Sequence, residues 1–435
     1  MIPALNAKIF STLGNNNSLV PMAIKDIANS CGLTAGSYIT GDKLEGKDRF
    51  IDEFGTQAIW LFGIPTYKKI IDYTLYKILK IDPKFDVRNL KADRKNLLQK
   101  SFEYADESIK NSIKSACENT KFTKNLAMGK FLLSTGLTIV SYWALTKYRH
   151  KNTEKAAKKE ILKEIEQNKK DNVQFGNKSI DSFGKKSQPS FTGSIQEFMY
   201  NPVKNLMILD GAITTERLAN SRNKQDFLGY TVKEGTFWAF MYFASKPIQK
   251  FLEKKADNNV KKPVSIELDA RVIESKELDA AFKDGTLKES VEKVLKLDTQ
   301  EALADFMHNN PDDFVVKMAK KSDVLPVLKN ANQADNIDYR QFIDFDEFKG
   351  VAKKLDKLDK KFEQFKSAKL KDTSLEAFLG HVKKTKRLAT LKNIGSCIGV
   401  LGVLAPAIMI LLRKFGKDNK EFKVKEDLKK QMLAF

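Results

Sequence analysis

The chain has 435 residues, 30% of them charged, with a mean hydropathy of −0.40 and a formal net charge of +21. That length gives two or three domains, and so many charges exclude a carrier built throughout of apolar helices. Three cysteines (Cys31, Cys117, Cys397) and three histidines (His150, His308, His381), all far apart, exclude a disulfide framework and a metal cluster. The basic excess points to polyanionic surroundings, either nucleic acid or anionic lipid.

Residues 1–17 have no basic region followed by an apolar core, so no cleavable secretory signal is expected. Gly41–Asp48 (GDKLEGKD) spaces two glycines and Lys47 as a phosphate-binding loop does. Asp48 stands where magnesium needs Ser or Thr, and no apolar strand precedes it, which argues against a nucleotide. Residues 55–67 form a Trp-bearing apolar window too short to span a bilayer, running into Pro65. From there an amphipathic helix over 65–80 puts Ile70, Ile71, Leu75, Ile78 and Leu79 on one side, suited to a headgroup plane or to a soluble core.

Residues 126–146 predict a transmembrane helix with one charge, Lys130, near its start and Tyr142 and Trp143 near its far end. Lys147, Arg149 and Lys151 follow and are expected to contact anionic headgroups, with the central linker on the cytoplasmic side. Residues 1–150 form a first membrane module. Residues 151–200 form a charged helix and a Ser/Gly/Lys linker in which Phe175, Phe183 and Phe191 recur, a place for a protein partner. Residues 201–262 begin a second module, with another short Trp-bearing window at 235–245 and Pro247 just after it.

Residues 263–385 read as a soluble helical domain, a second candidate surface for a protein partner. Its helix near 351–371 carries Leu355, Leu358, Phe362 and Phe365 on one stripe. Asn336–Phe348 ends like a calcium-binding loop. Arg340 falls inside the cage and Gln341 at the turn glycine, so no calcium is expected. Residues 386–435 hold the strongest feature, the charge-free run Asn393–Leu412. At about 1.5 Å per residue it matches a hydrocarbon core of about 30 Å. Arg413 and Lys414 follow as headgroup contacts, and Gly395, Gly399 and Gly402 give a face for close helix approach, as Gly129 and Gly136 do in the earlier span.

The expected fold is all-α: an integral membrane protein with two transmembrane helices, two short apolar or interfacial segments and a polar helical domain. No catalytic signature is present, and no catalytic residue, cofactor or metal is expected. The basic residues are spread along the chain without a reader fold, so lipid rather than nucleic acid is the expected partner. A non-enzymatic anchoring or interaction role follows, with a small-solute transporter or channel component and a soluble nucleic-acid binder as alternatives.

The order of features also points to an internal duplication. Glu53–Thr56 and Glu234–Thr236 each precede a Trp-bearing window, a proline and an amphipathic basic helix. Each half then closes on a hydrophobic helix with glycines seven apart, Gly129 and Gly136 against Gly395 and Gly402. The expectation is that the two closing helices pack through these glycine faces.

Overall fold

A computed structural model describes residues 2–15, 18–40, 43–168, 195–219, 224–328, 336–368 and 370–415, with Leu428 and Met432. The Phe175, Phe183 and Phe191 linker lies outside them. The fold is all-α, with no strand among the described residues and one isolated bridge, Val327 to Ile337.

In chain order the helices are α1 (Ile2–Gly14), α2 (Leu19–Thr40), α3 (Lys43–Ile71), α4 (Lys95–Tyr104), α5 (Glu107–Glu118), α6 (Thr120–Asn168), α7 (Ile195–Tyr200), α8 (Pro202–Ala219) and α9 (Lys224–Trp238). There follow α10 (Ser245–Asp257), α11 (Ala270–Ile273), α12 (Lys276–Asp284), α13 (Thr286–Leu295), α14 (Gln300–Asn309), α15 (Phe314–Lys321), α16 (Phe345–Lys366), α17 (Leu375–Gly399) and α18 (Ala405–Phe415). Three π-helical turns interrupt the series, at Asp72–Tyr76, Ala239–Phe243 and Val400–Leu404.

The helices form two compact units that interleave along the chain. Unit 1 is Met1–Asn16, Ile71–Gly129 and Lys246–Asn393. Unit 2 is Asn17–Ile70, Lys130–Ser245 and Ile394–Phe435. After an initial segment in unit 1, the chain therefore passes through unit 2, unit 1 and unit 2 before the central linker, and takes that three-part route again after it.

Unit 1 is built as a soluble domain is. Phe348, Phe365, Phe378, Leu278, Leu287 and Met307 are fully buried, and the Leu355–Phe365 stripe of α16 is part of the same core. Burying each such side chain contributes about 1.5–3 kcal/mol. Local signals set the ends of its helices: the Ser275 hydroxyl accepts from the Leu278 N–H at 3.2 Å to start α12, and Gly285, at φ 80°, ends it. Asp86 and Asp269 share one geometry. Each caps a short helix by accepting from the N–H of the arginine two residues on, at 2.8 Å, and each accepts that arginine's Nε at 3.1 Å.

Arg340 occupies the calcium-like loop. Its guanidinium donates to Asp338 at 2.8 and 2.9 Å and to Asp82 at 2.7 Å. Burial alone would raise the Asp338 carboxyl, but the hydrogen bonds from Arg340 more than offset this and hold it below the usual carboxylate range.

One helical stretch among the described residues, Leu375–Leu411, is long and apolar enough to cross a membrane, and 28% of its apolar window is buried. A core helix of a soluble protein would be mostly covered. The 126–146 segment, expected as a second such helix, lies inside the 49-residue α6 and does not reach the same apolarity. Lys130 and the Ser, Thr, Gly and Tyr residues interspersed there dilute it. The 55–67 window also differs from expectation. It is not a separate short segment: α3 runs unbroken through Pro65 for 29 residues. Pro247, by contrast, does sit in the first turn of a helix, α10, where its missing N–H leaves no bond unmade.

Candidate functional site

Unit 2 has an apolar core around Trp60, Leu209 and Met241, and differs from unit 1 in also burying a set of charges beneath an apolar exterior. Ile39, Phe62, Leu132, Val140, Trp143, Val403 and Leu404 are exposed, while charged side chains lie inside. The inner face of α3 carries Arg49, Asp52, Glu53 and Gln57 at helical spacing, followed by Trp60. Asp52 and Glu53 are 4% and 5% exposed, so each needs a partner to offset desolvation.

Partners come from three other helices. Lys233 of α9 lies 2.6 Å from Glu53 and 3.8 Å from Glu234. Arg217 of α8 bridges Glu234 at 2.8 Å and Asp52 at 3.5 Å. Arg149 of α6 reaches Asp52 at 2.5 Å, and Arg49 reaches Glu53 at 3.4 Å. The two acidic-Gly-Thr motifs, far apart in sequence, thus meet in a single network.

A cavity of about 30 Å³ opens beside this network. Asp26 and Asn29 of α2, Glu53, Gln57 and Trp60 of α3, Asp210 and Arg217 of α8, and Lys233, Glu234 and Phe237 of α9 line it. Asp210 accepts from Trp60 Nε1 at 3.1 Å and from the Tyr242 hydroxyl. Tyr242 belongs to the π turn at 239–243, and π turns recur at functional sites. The Gln57 side chain is 6% exposed, and its Nε2 has no hydrogen-bond partner among the described residues. A water needs roughly 10–15 Å³ of such room, so the cavity holds about two waters or a bare ion. A nucleotide or metabolite does not fit.

A second buried constellation lies in the same unit. Lys25 Nζ donates to Ser245 Oγ at 2.5 Å and to the Phe240 carbonyl at 3.5 Å, and Ser245 lies 3.5 Å from Cys397 Sγ. A serine beside a lysine is a known nucleophile pairing. Exposures of 3% for Lys25 and 4% for Ser245 leave no access for a substrate, so the contact acts as a helix tie.

The residues singled out from sequence are distributed as follows. Gly402 makes a close helix approach, with the Ala28 carbonyl 3.0 Å from where its Cβ would stand. A Cβ at Gly32 would strike the Gly402 carbonyl oxygen. At Gly129, Gly136, Gly395 and Gly399 a Cβ would meet nothing within 4 Å. The tight contact is therefore between α2 and the π turn at 400–404, instead of a glycine seam between the closing helices. The tight glycines of α3 were missed: a Cβ at Gly63 would lie 2.7 Å from Thr138 of α6.

Lys147 and Lys151 are exposed. Arg149 is not a headgroup residue, because its side chain turns inward to Asp48 and Asp52. Arg413 and Lys414 belong to α18, and their side chains lie outside the described residues.

Sequence reasoning missed Lys25, Asp26, Arg49, Asp52, Asp210, Arg217 and Lys233. The available signal was Arg49, Asp52 and Glu53 on one helical face directly before an apolar window. Among the described residues no group of three His, Cys, Asp or Glu is placed to hold a metal ion. No protein-family model, curated protein or solved structure matches the chain.

Proposed function

We propose that unit 2 is a membrane-embedded helical bundle of two like halves, and that the cavity between those halves is part of a path for a small ion. The observation that carries this reading is the pairing, in unit 2, of large exposed apolar side chains with a buried charge network around a small cavity. Ionisable residues at bilayer depth are expensive and mark ion or proton pathways.

Duplication supports the same reading. Setting Gly55 against Gly235 aligns Pro65 with Pro247 within two residues. At nearly the same interval, Asp26 matches Asp210, Phe85–Arg88 matches Leu268–Arg271, and Glu107–Ile109 matches Glu289–Val291. The matched Asp86 and Asp269 caps share one geometry. On this pairing α2 and α3 of the first half correspond to α8 and α9 of the second, and these four helices line the cavity. Repeat interfaces near the bilayer midplane are where duplicated transporters bind their ions. Lys130 is the one charge inside the two spans expected from sequence, which by itself speaks against a transport role; the buried charges of α2, α3, α8 and α9 speak for one.

The test has two stages. Alkaline carbonate should leave the full chain in the membrane pellet. Vesicles carrying the purified chain should then dissipate an imposed salt gradient, read with a potential-sensitive dye, faster than protein-free vesicles. Extraction by carbonate would refute the membrane reading, and retention without ion flux would favour anchoring.

A further inference from the structure

We infer that the species passing through the cavity is the proton, carried by Asp26 and Asp210, one carboxyl from each half. This rests on the ion-path reading above and names its substrate.

Size is the first constraint. About 30 Å³ admits a short water chain or a bare ion and nothing larger. Charge is the second. The lining holds four carboxyls (Asp26, Glu53, Asp210, Glu234) against two cations (Arg217, Lys233), which disfavours an anion. The third is the state of those carboxyls. Glu53 and Glu234 are held by Lys233 at 2.6 Å and Arg217 at 2.8 Å and are committed to ion pairs. Asp210 instead accepts neutral donors, the Trp60 indole and the Tyr242 hydroxyl. A carboxyl without a counter-cation in contact gives up no ion pair when it takes up a proton.

A metal cation is a poorer occupant. No trio of His, Cys, Asp or Glu is arranged to hold one among the described residues. A proton needs no such shell, because it becomes part of a carboxyl. The Gln57 Nε2, buried and without a partner among the described residues, supplies a donor that would orient water in the cavity.

The step balances without any electron transfer. A proton from one aqueous side bonds to a carboxylate oxygen of Asp26 and neutralises it. Passage through cavity water breaks that O–H bond and forms one on Asp210, and release to the other side restores the carboxylate. The charged and titratable groups facing this path are Glu53, Arg217, Lys233, Glu234 and Tyr242, with Lys25, Arg49 and Asp52 behind them.

Full-length protein in sealed vesicles loaded with a pH-sensitive dye tests the inference under an imposed pH gradient and a potassium–valinomycin potential. The expected result is dye acidification faster than in empty vesicles, falling about a hundredfold in Asp26→Asn and in Asp210→Asn. Exposed Asp312→Asn should leave the rate unchanged. Protein recovery and elution volume from detergent confirm that each variant is folded, and Asp210→Glu, which keeps a carboxyl, should retain flux. Proton flux that survives both Asn substitutions in folded protein would overturn the inference. So would passage of sodium, rubidium or chloride without protons, which would leave the ion path standing. No flux of any ion would refute both.

Discussion

Replacing Lys233 by methionine removes the cation on which the buried network turns. The Lys233 side chain is 3% exposed and lies 2.6 Å from Glu53, whose own side chain is 5% exposed. Methionine keeps most of the volume, so packing is nearly conserved and the perturbation is chiefly electrostatic. Glu53 then retains Arg49 at 3.4 Å, and Glu234 retains Arg217 at 2.8 Å. Removing one partner of a buried ion pair costs about 3–5 kcal/mol, because the other charge stays desolvated. For a unit of this size each kcal/mol moves the midpoint by about 2–4 °C, so thermal unfolding in detergent should fall by about 6–20 °C. The double variant Lys233→Met with Glu53→Gln removes both charges and should cost about 2 kcal/mol less than the sum of the singles. The exposed Lys283→Met is the control and should leave the midpoint in place. A midpoint for Lys233→Met within about 2 °C of the parent, or strictly additive single variants, would refute the coupled network.

Gly32→Leu should destabilise by about 3 kcal/mol, since the side chain would meet the Gly402 backbone carbonyl, which cannot move aside as a flexible side chain can; a purified variant with parental thermal stability would contradict this. Arg340→Ala leaves Asp338, 2% exposed, without its guanidinium, and chemical denaturation of the full chain should report a loss of about 3–5 kcal/mol. Tyr104 donates to Asp305 at 2.6 Å, and that hydrogen bond pushes its hydroxyl up to about 12 from an ordinary value of 10.0. A folded value above the unfolded one stabilises below pH 10 and is lost as pH rises through about 12. The parent should therefore lose stability over that interval more steeply than Tyr104→Phe, as followed by circular dichroism.

How much was legible in the sequence depended on which physical signal each element carries. The all-α fold and the α16 stripe follow from apolar spacing, and the helix ends at Ser275 and Gly285 follow from cap chemistry, both of which are local. The Leu375–Leu411 stretch follows from apolar run length. The site does not, because its signal is non-local. Asp52 and Glu53 look like the charged edge of a short apolar window until Arg217 and Lys233 are known to face them. In a soluble helix such residues belong to the solvated face, and that default hid them. Arg149 failed for the same reason: basic residues after an apolar run usually reach headgroups, and here one of three turns inward. Pro65 marked a helix start by the usual rule, yet α3 continues through it.

On the proposed duplication, the sequence match is faint because of where the halves would touch. When a unit packs against its own copy about a two-fold axis, residues near the axis meet their own equivalents. In the pairing that sets Gly55 against Gly235, Glu53 stands opposite Lys233, and these two are in contact at 2.6 Å. Two glutamates buried at that distance would repel, so an identical copy could not close its core. Complementary charge solves the packing problem and at the same time erases the sequence match. Gln57 against Phe237 diverges in the same way, with a polar group from one half and an apolar group from the other lining one cavity. Asp26 and Asp210 stay alike once the pairing is shifted by four residues, about one helical turn, between α3 and α2. Each lines water-accessible space and is not locked to its counterpart by an ion pair, so no packing constraint forces them apart. Divergence at Glu53 and Lys233 is then what assembly of two such halves would require, and identity at Asp26 and Asp210 is what the proposed path would require.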